Sequence, residues 1–179
     1  MTMENWTDEV LDFWFGLKPE QWFRDDGLDV MIRERFEELW AEQRTQPAAS
    51  FLGSARKALA AVILFDQLPR NMFRDKADSF ATDHLALAIA KDAIERDYDE
   101  AMSQPERGFL YMPFQHSEDL DDQQRSVALF TDLGDAEQLR YAKLHRDVIE
   151  RFGRFPHRNP TLGRAPRPDE IAPGDVTPW

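Results

Sequence analysis

Apolar side chains recur along this chain every three or four positions, the period of an α-helix, and no stretch alternates with the two-residue period of a strand. Thr7, followed by Asp8 and Glu9, suits the N-cap and acidic first turn of a helix that carries Val10, Leu11, Phe13, Trp14 and Phe15 and stops at Gly16. Residues 19–27 form an aromatic connection containing Trp22 and Phe23. A second helix is predicted over 28–44, burying Val30 or Met31 together with Phe36, Leu39 and Trp40. Ser54 can cap a third helix over 55–68, whose middle is apolar on every side and therefore belongs at the centre of the fold. Pro69 is expected to close it, because the residue before a proline avoids the α region.

Thr82 or Asp83 can start a fourth helix reaching about Asp97, with Leu85, Ala88, Ile89 and Ala93 on one stripe. Pro105 fits the first turn of a short helix that Pro113 is expected to interrupt. Ser117 then reads as the N-cap of a helix over 118–133, with Val127, Phe130 and Leu133 inward. Gly134 and Asp135 make a turn into a last long helix over 136–152, which Gly153 ends as a left-handed cap. Five of the eleven prolines fall in the last twenty residues, which predicts a coil that Ile171 and Trp179 tack onto the body. The pattern predicts an all-α fold of about seven helices, whose short connections favour antiparallel neighbours. It divides into one helical domain over 1–163 and a Pro-rich tail over 164–179.

The absence of cysteine excludes disulfides, cysteine-ligated zinc, iron–sulfur clusters and a thiol nucleophile. The first six residues lack the basic and apolar regions of a signal peptide. The longest apolar run, 58–65, is far below the roughly 20 residues of a membrane span. A cytoplasmic, soluble bacterial-type protein is the expectation. A formal net charge of −12 opposes binding to nucleic acid or to an anionic membrane. Yet between Arg140 and Arg167 eight Lys and Arg stand against two acids. Arginine forks there suit either a small anionic ligand or internal pairing with the acidic body.

Two residues stand out for chemistry. Asp66 sits at the C-terminal end of the apolar third helix, where both the dipole and the dry surroundings oppose a carboxylate. It needs donors, as a structural ion pair with Arg70 or as a ligand-facing base. His145 falls in the middle of the inward stripe of Tyr141, Ala142, Ile149 and Phe152. If the last helix packs against the start of its predecessor, His116 and Glu118 join it. Asp66, Arg70, His116, Glu118, His145, Arg151, Arg154, His157 and Arg158 are therefore the candidate lining of one polar pocket. A metal is not expected, since neither HExxH nor the Glu-x-x-His pair of di-iron bundles occurs and no cofactor fingerprint is present. No G-x-S-x-G elbow occurs either, and consecutive His116, Ser117 and Glu118 cannot form a through-space triad.

Four strings carry a resemblance: Val10-Leu11-Asp12-Phe13-Trp14-Phe15-Gly16, Phe65-Asp66-Gln67-Leu68-Pro69-Arg70-Asn71, Tyr111-Met112-Pro113-Phe114-Gln115-His116-Ser117-Glu118 and Arg151-Phe152-Gly153-Arg154-Phe155-Pro156-His157-Arg158-Asn159. Together they resemble the bacterial domain-of-unknown-function 924 family (DUF924). The resemblance implies packed helical hairpins in a tetratricopeptide-like, right-handed array, and no particular activity, substrate or cofactor. Two functional classes remain open at this point. One is a module that binds a protein or peptide partner, or a small anionic ligand, in a groove. The other is an enzyme, acid–base or metal-assisted, built on a buried Asp/His/Arg pocket. An open concave groove favours the first and a convergent pocket the second.

Overall fold

The computed structural model describes residues 6–18, 21 and 26–171; Trp22, Phe23 and Trp179 lie outside them. Among the described residues the secondary structure is helical throughout, with no strand. Helix α1 is Trp6–Gly16 and α2 is Asp26–Gln43. Ser54 caps α3 (Ala55–Val62) by accepting the Lys57 amide. This helix runs into a π-helical turn, Ile63–Gln67, and on into α4 (Leu68–Met72). Helices α5 (Asp83–Ile94), α6 (Gln104–His116), α7 (Leu120–Leu133), α8 (Ala136–Phe152) and the single-turn α9 (Pro168–Ile171) follow.

The α3–π–α4 run is the axis of the core. Ala58 through Leu68 are all buried, and α1, α2, α5 and α6 pack around them. Edge-on rings fill the space: Phe51 against Phe65 at 5.2 Å, Trp6 against Phe51 at 6.2 Å and Trp14 against Phe109 at 5.5 Å. Helices α6, α7 and α8 form consecutive packed hairpins beside this axis, as short turns require. Asp135 caps α8 and Gly153 ends it at φ 65°.

Several sequence expectations fail for identifiable reasons. Pro69 does not close the third helix; the π turn lets the Leu68 amide bond back to the Ile63 carbonyl, and Pro69 enters the first turn of α4, where its missing N–H costs little. Side chains bond to two of the carbonyls in this turn. The Thr82 hydroxyl donates to the Phe65 carbonyl at 2.6 Å, and the Arg70 guanidinium donates to that of Asp66. Thr82 therefore makes no cap bond for α5, although it stands at the N-cap. Pro113 does not interrupt α6 either, because residues 108–115 are all buried between flanking helices that hold the turn helical.

On α2 the Leu28, Ile32, Phe36 and Trp40 phase faces the core, which turns Val30 and Met31 outward at 59% and 53% exposure. Thr7 lies inside α1 rather than capping it. Helix α7 starts after Glu118, capped by Asp119, which accepts the amides of Asp121 and Asp122; the Ser117 hydroxyl instead donates to the Asp122 carboxylate at 2.8 Å. The tail is not tacked down by Ile171, which is exposed; Glu170 is the residue buried there.

Candidate functional site

The π turn places a carboxylate inside the protein. Asp66 has no exposed surface. One oxygen lies 2.7 Å from His116 Nδ1 and 3.4 Å from the Arg70 guanidinium, and the other accepts from the Gln67 amide. Arg70 also grips Asp83 with two bonds of 3.0 and 3.1 Å, and Arg158 reaches Asp83 at 3.2 Å. Two carboxylates and two guanidiniums thus balance, leaving no spare negative charge for an imidazolium at His116. Burial pushes the Asp66 carboxyl up, but Arg70 and His116 together hold it well below the usual carboxylate range. Burial and the nearby Arg70 lower His116 despite Asp66. At neutral pH the pair is therefore carboxylate and neutral imidazole, with Nδ1–H donating to Asp66 and the lone pair left on Nε2.

His116 sits in the last turn of α6, and that turn is fixed from α7. The Gln123 amide donates to the carbonyls of Phe114, Gln115 and Ser117 at 3.3, 2.7 and 2.7 Å. A second imidazole, His145, has its ring 6.2 Å from that of His116 and its Nδ1 2.8 Å from the Tyr141 carbonyl. Burial, reinforced by His116, pushes His145 down to about 3. Beyond it lie Phe155, 5.7 Å away edge-on, and then His157, 5.6 Å further, which burial and Arg158 lower to about 4. The Arg158 guanidinium is sandwiched over Phe80 and Phe155 at 4.5 and 4.7 Å. Burial lowers it to about 10, so it stays cationic at neutral pH.

The structure thus gathers Asp66, Arg70, His116, His145 and Arg158 in one network, with His157 reached through Phe155. Glu118 borders this network, close enough to Arg158 and His157 to act on their charges, while Arg154 and Arg151 lie apart from it. Glu118 forms a fork with Arg164 at 2.7 and 2.9 Å and accepts the Phe155 amide at 2.7 Å. Arg154 forks onto Glu170, which also accepts from Asn159 and the Arg167 amide. Arg151 is exposed and stacks on its neighbour Phe152. Sequence reasoning missed Asp83, which looked like a helix start, and the glutamines 67, 115 and 123. The only signal for two of them was their place beside Asp66 and His116 in the strings quoted above.

His116 and His145 look onto a cleft of about 850 Å³ bounded by α4, α6 and α8. Gln67, Arg70, Asn71 and Arg74 line one side. Phe109, Met112, Gln115 and His116 form a stripe along α6, and Gln138, Tyr141 and His145 come from α8. The cleft mixes polar groups from the π turn, α4, α6 and α8 with the apolar side chains of Phe109, Met112 and Pro105. Arg74 is held by Asp29 through bonds of 2.6 and 2.9 Å. Among the described residues no group of three or more His, Asp or Glu side chains is arranged to hold a metal ion. Nor is any described helix long and apolar enough to cross a membrane.

Three of the four strings noted in the sequence meet at this site, and the fourth, in α1, lies in the core. A solved structure of a protein of unknown function from Agrobacterium tumefaciens is similar in fold and sequence. It is 40% identical, with a TM-score of 0.86 over 96% of this chain and 97% of that one. No curated protein matches the chain. The sequence profile described as "bacterial protein of unknown function (DUF924)" matches residues 10–172, and the chain belongs to that family.

Proposed function

We propose that the cleft is the active site of an acid–base enzyme acting on a small molecule, with His116 as general base and Asp66 as the residue that orients it. The observation that carries this reading is the 2.7 Å contact between a fully buried Asp66 and Nδ1 of His116, a residue that lines the cleft; with Nδ1–H donating to the carboxylate, Nε2 is left as an acceptor. A carboxylate behind an imidazole fixes the tautomer and stabilises the imidazolium formed when Nε2 takes a proton. In the proposed step a substrate X–H bond breaks, an Nε2–H bond forms, and the electron pair remains on X. The new positive charge falls against Asp66, one hydrogen bond away.

The buried Asp66 behind His116 supports this reading over a docking groove for a peptide, which has no use for a dry carboxylate behind its contact surface. The test is turnover in a mixture. Wild-type protein and its His116→Gln and Asp66→Asn variants are incubated with a bacterial small-molecule extract, and the extract is followed by mass spectrometry. At least one compound should be consumed by the wild type and spared by both variants. Equal consumption by His116→Gln, or none by the wild type, sinks the assignment.

A further inference from the structure

We infer that Gln115 is the substrate-recognising residue of this cleft, and that it selects a neutral primary carboxamide carried on an apolar body. This rests on the acid–base reading for the role of His116 and adds the substrate class. Gln115 adjoins His116 at the end of α6, is only 3% exposed, and lines the cleft. Its side chain makes no hydrogen bond among the described residues; the Gln123 amide uses only its backbone carbonyl. The stem of the side chain is buried while its amide stays open to the cleft, so a group that enters can pair with it in place of water.

The charges of the cleft decide what that group is. Arg70 already serves Asp66 and Asp83, and Arg74 is forked onto Asp29. Toward the start of α8 the cleft carries Asp135 and Glu137. An anion would compete with existing carboxylates for those arginines and meet two further acids.

A glutamine amide presents one donor and one acceptor side by side. The complementary neutral group is another carboxamide. Its carbonyl accepts from Gln115 Nε2, and one of its N–H groups donates to Gln115 Oε1. A primary carboxamide keeps a second N–H, which is available to the neighbouring His116 Nε2. The body attached to it then lies against Phe109 and Met112.

Benzamide, benzoate, benzylamine and benzamidine share one ring and differ only in the charge and donors of the head group. They are titrated into full-length protein at pH 7, with the histidine ring nitrogens followed by 15N NMR. Benzamide should bind most tightly and move the His116 Nε2 resonance. Gln115→Leu should weaken it about tenfold, the loss of the two-bond amide pair. Gln115→Glu, of the same shape, should exchange the preference for benzamide for one for benzamidine, which guards against misreading a folding defect in the leucine variant. Tighter binding of benzoate than benzamide, unchanged benzamide binding in Gln115→Leu, or no benzamide binding at the limit of its solubility would overturn the assignment. An imidazolium at His116 in the free protein would instead defeat the acid–base reading, and leaves benzamide selectivity through Gln115 to be judged separately in the same spectra.

Discussion

Phe65 and Asp66 are neighbours in one π turn, yet they face regions held by different forces. Phe65 meets Phe51 edge-on, Phe51 meets Trp6, and the surrounding aliphatic chains bury these rings from solvent. Attraction there scales with the apolar area removed from water and is indifferent to pH. Asp66 meets His116, Gln67 and Arg70, and through Arg70 it joins Asp83 and Arg158. What holds that region is the cost of leaving a buried charge unpaired. A core built from rings tolerates substitutions that keep volume. A balanced ion cluster tolerates none that change its charge, and in exchange it fixes a protonation state.

The largest effects should come from cutting either region at the π turn. Phe65→Ala should destabilise by about 3–5 kcal/mol through the cavity it leaves. Asp66→Ala should cost a similar amount by leaving Arg70 and Arg158 with Asp83 as their one shared carboxylate and His116 without its partner. In a thermal melt either corresponds to a fall on the order of 10 °C for a chain of this size. The comparison sharpens with isosteres: Phe65→Leu should recover most of the loss, whereas Asp66→Asn should recover little. Equal recovery at both sites would mean that charge is not what holds the second region.

Acid should act on the polar region alone. His116, His145 and His157 all have folded pKa values below the ordinary imidazole value, the last two at about 3 and about 4. The unfolded chain therefore takes up protons first. The stability these groups contribute is complete above about pH 6.5 and is lost as pH falls toward 4, by about 1.4 kcal/mol per pH unit for each extra proton. Urea unfolding between pH 7 and pH 4.5 should show this slope. His145→Gln should remove about one proton from it, and Phe65→Leu should leave it unchanged.

A smaller effect is expected where the regions join. Thr82 donates to the Phe65 carbonyl and accepts from Trp40 Nε1 at 3.1 Å, so Thr82→Val should cost about 1–3 kcal/mol by orphaning both. Glu170→Ala should leave the main melt nearly unchanged while hydrogen exchange accelerates over residues 164–171, because Arg154, Asn159 and the Arg167 amide all converge on that carboxylate. Smallest of all, Arg151→Ala should stay within about 0.5 kcal/mol, as its guanidinium rests on Phe152 at the surface.

What could be read in advance follows the same division. The 136–152 helix with its Gly153 cap, and the Ser54 cap, depend on local chemistry and stand where the pattern puts them. Pro69 and Pro113 mislead because burial and side-chain bonds from distant elements override a local steric rule. Asp66 drew notice because a carboxylate in a dry helix needs donors. Which donor is settled by His116, fifty residues on, and nothing local marks it. Arg154 and Arg151 looked equivalent to the residues around Asp66, since sequence shows charge but not which acid each arginine will find. Asp83 was hidden by its ordinary position at the start of a helix, although two arginines close on it.

The acid–base role of His116 depends on the state of one imidazole. Histidine-selective 15N NMR of the unliganded protein at pH 7, with His116 assigned through a His116→Gln variant, reads that state directly. The ring should be neutral with its proton on Nδ1 and an unprotonated Nε2, changing to the Nε2–H tautomer or to a mixture in Asp66→Ala. An imidazolium at pH 7, or a proton on Nε2 in the wild type, would contradict that role.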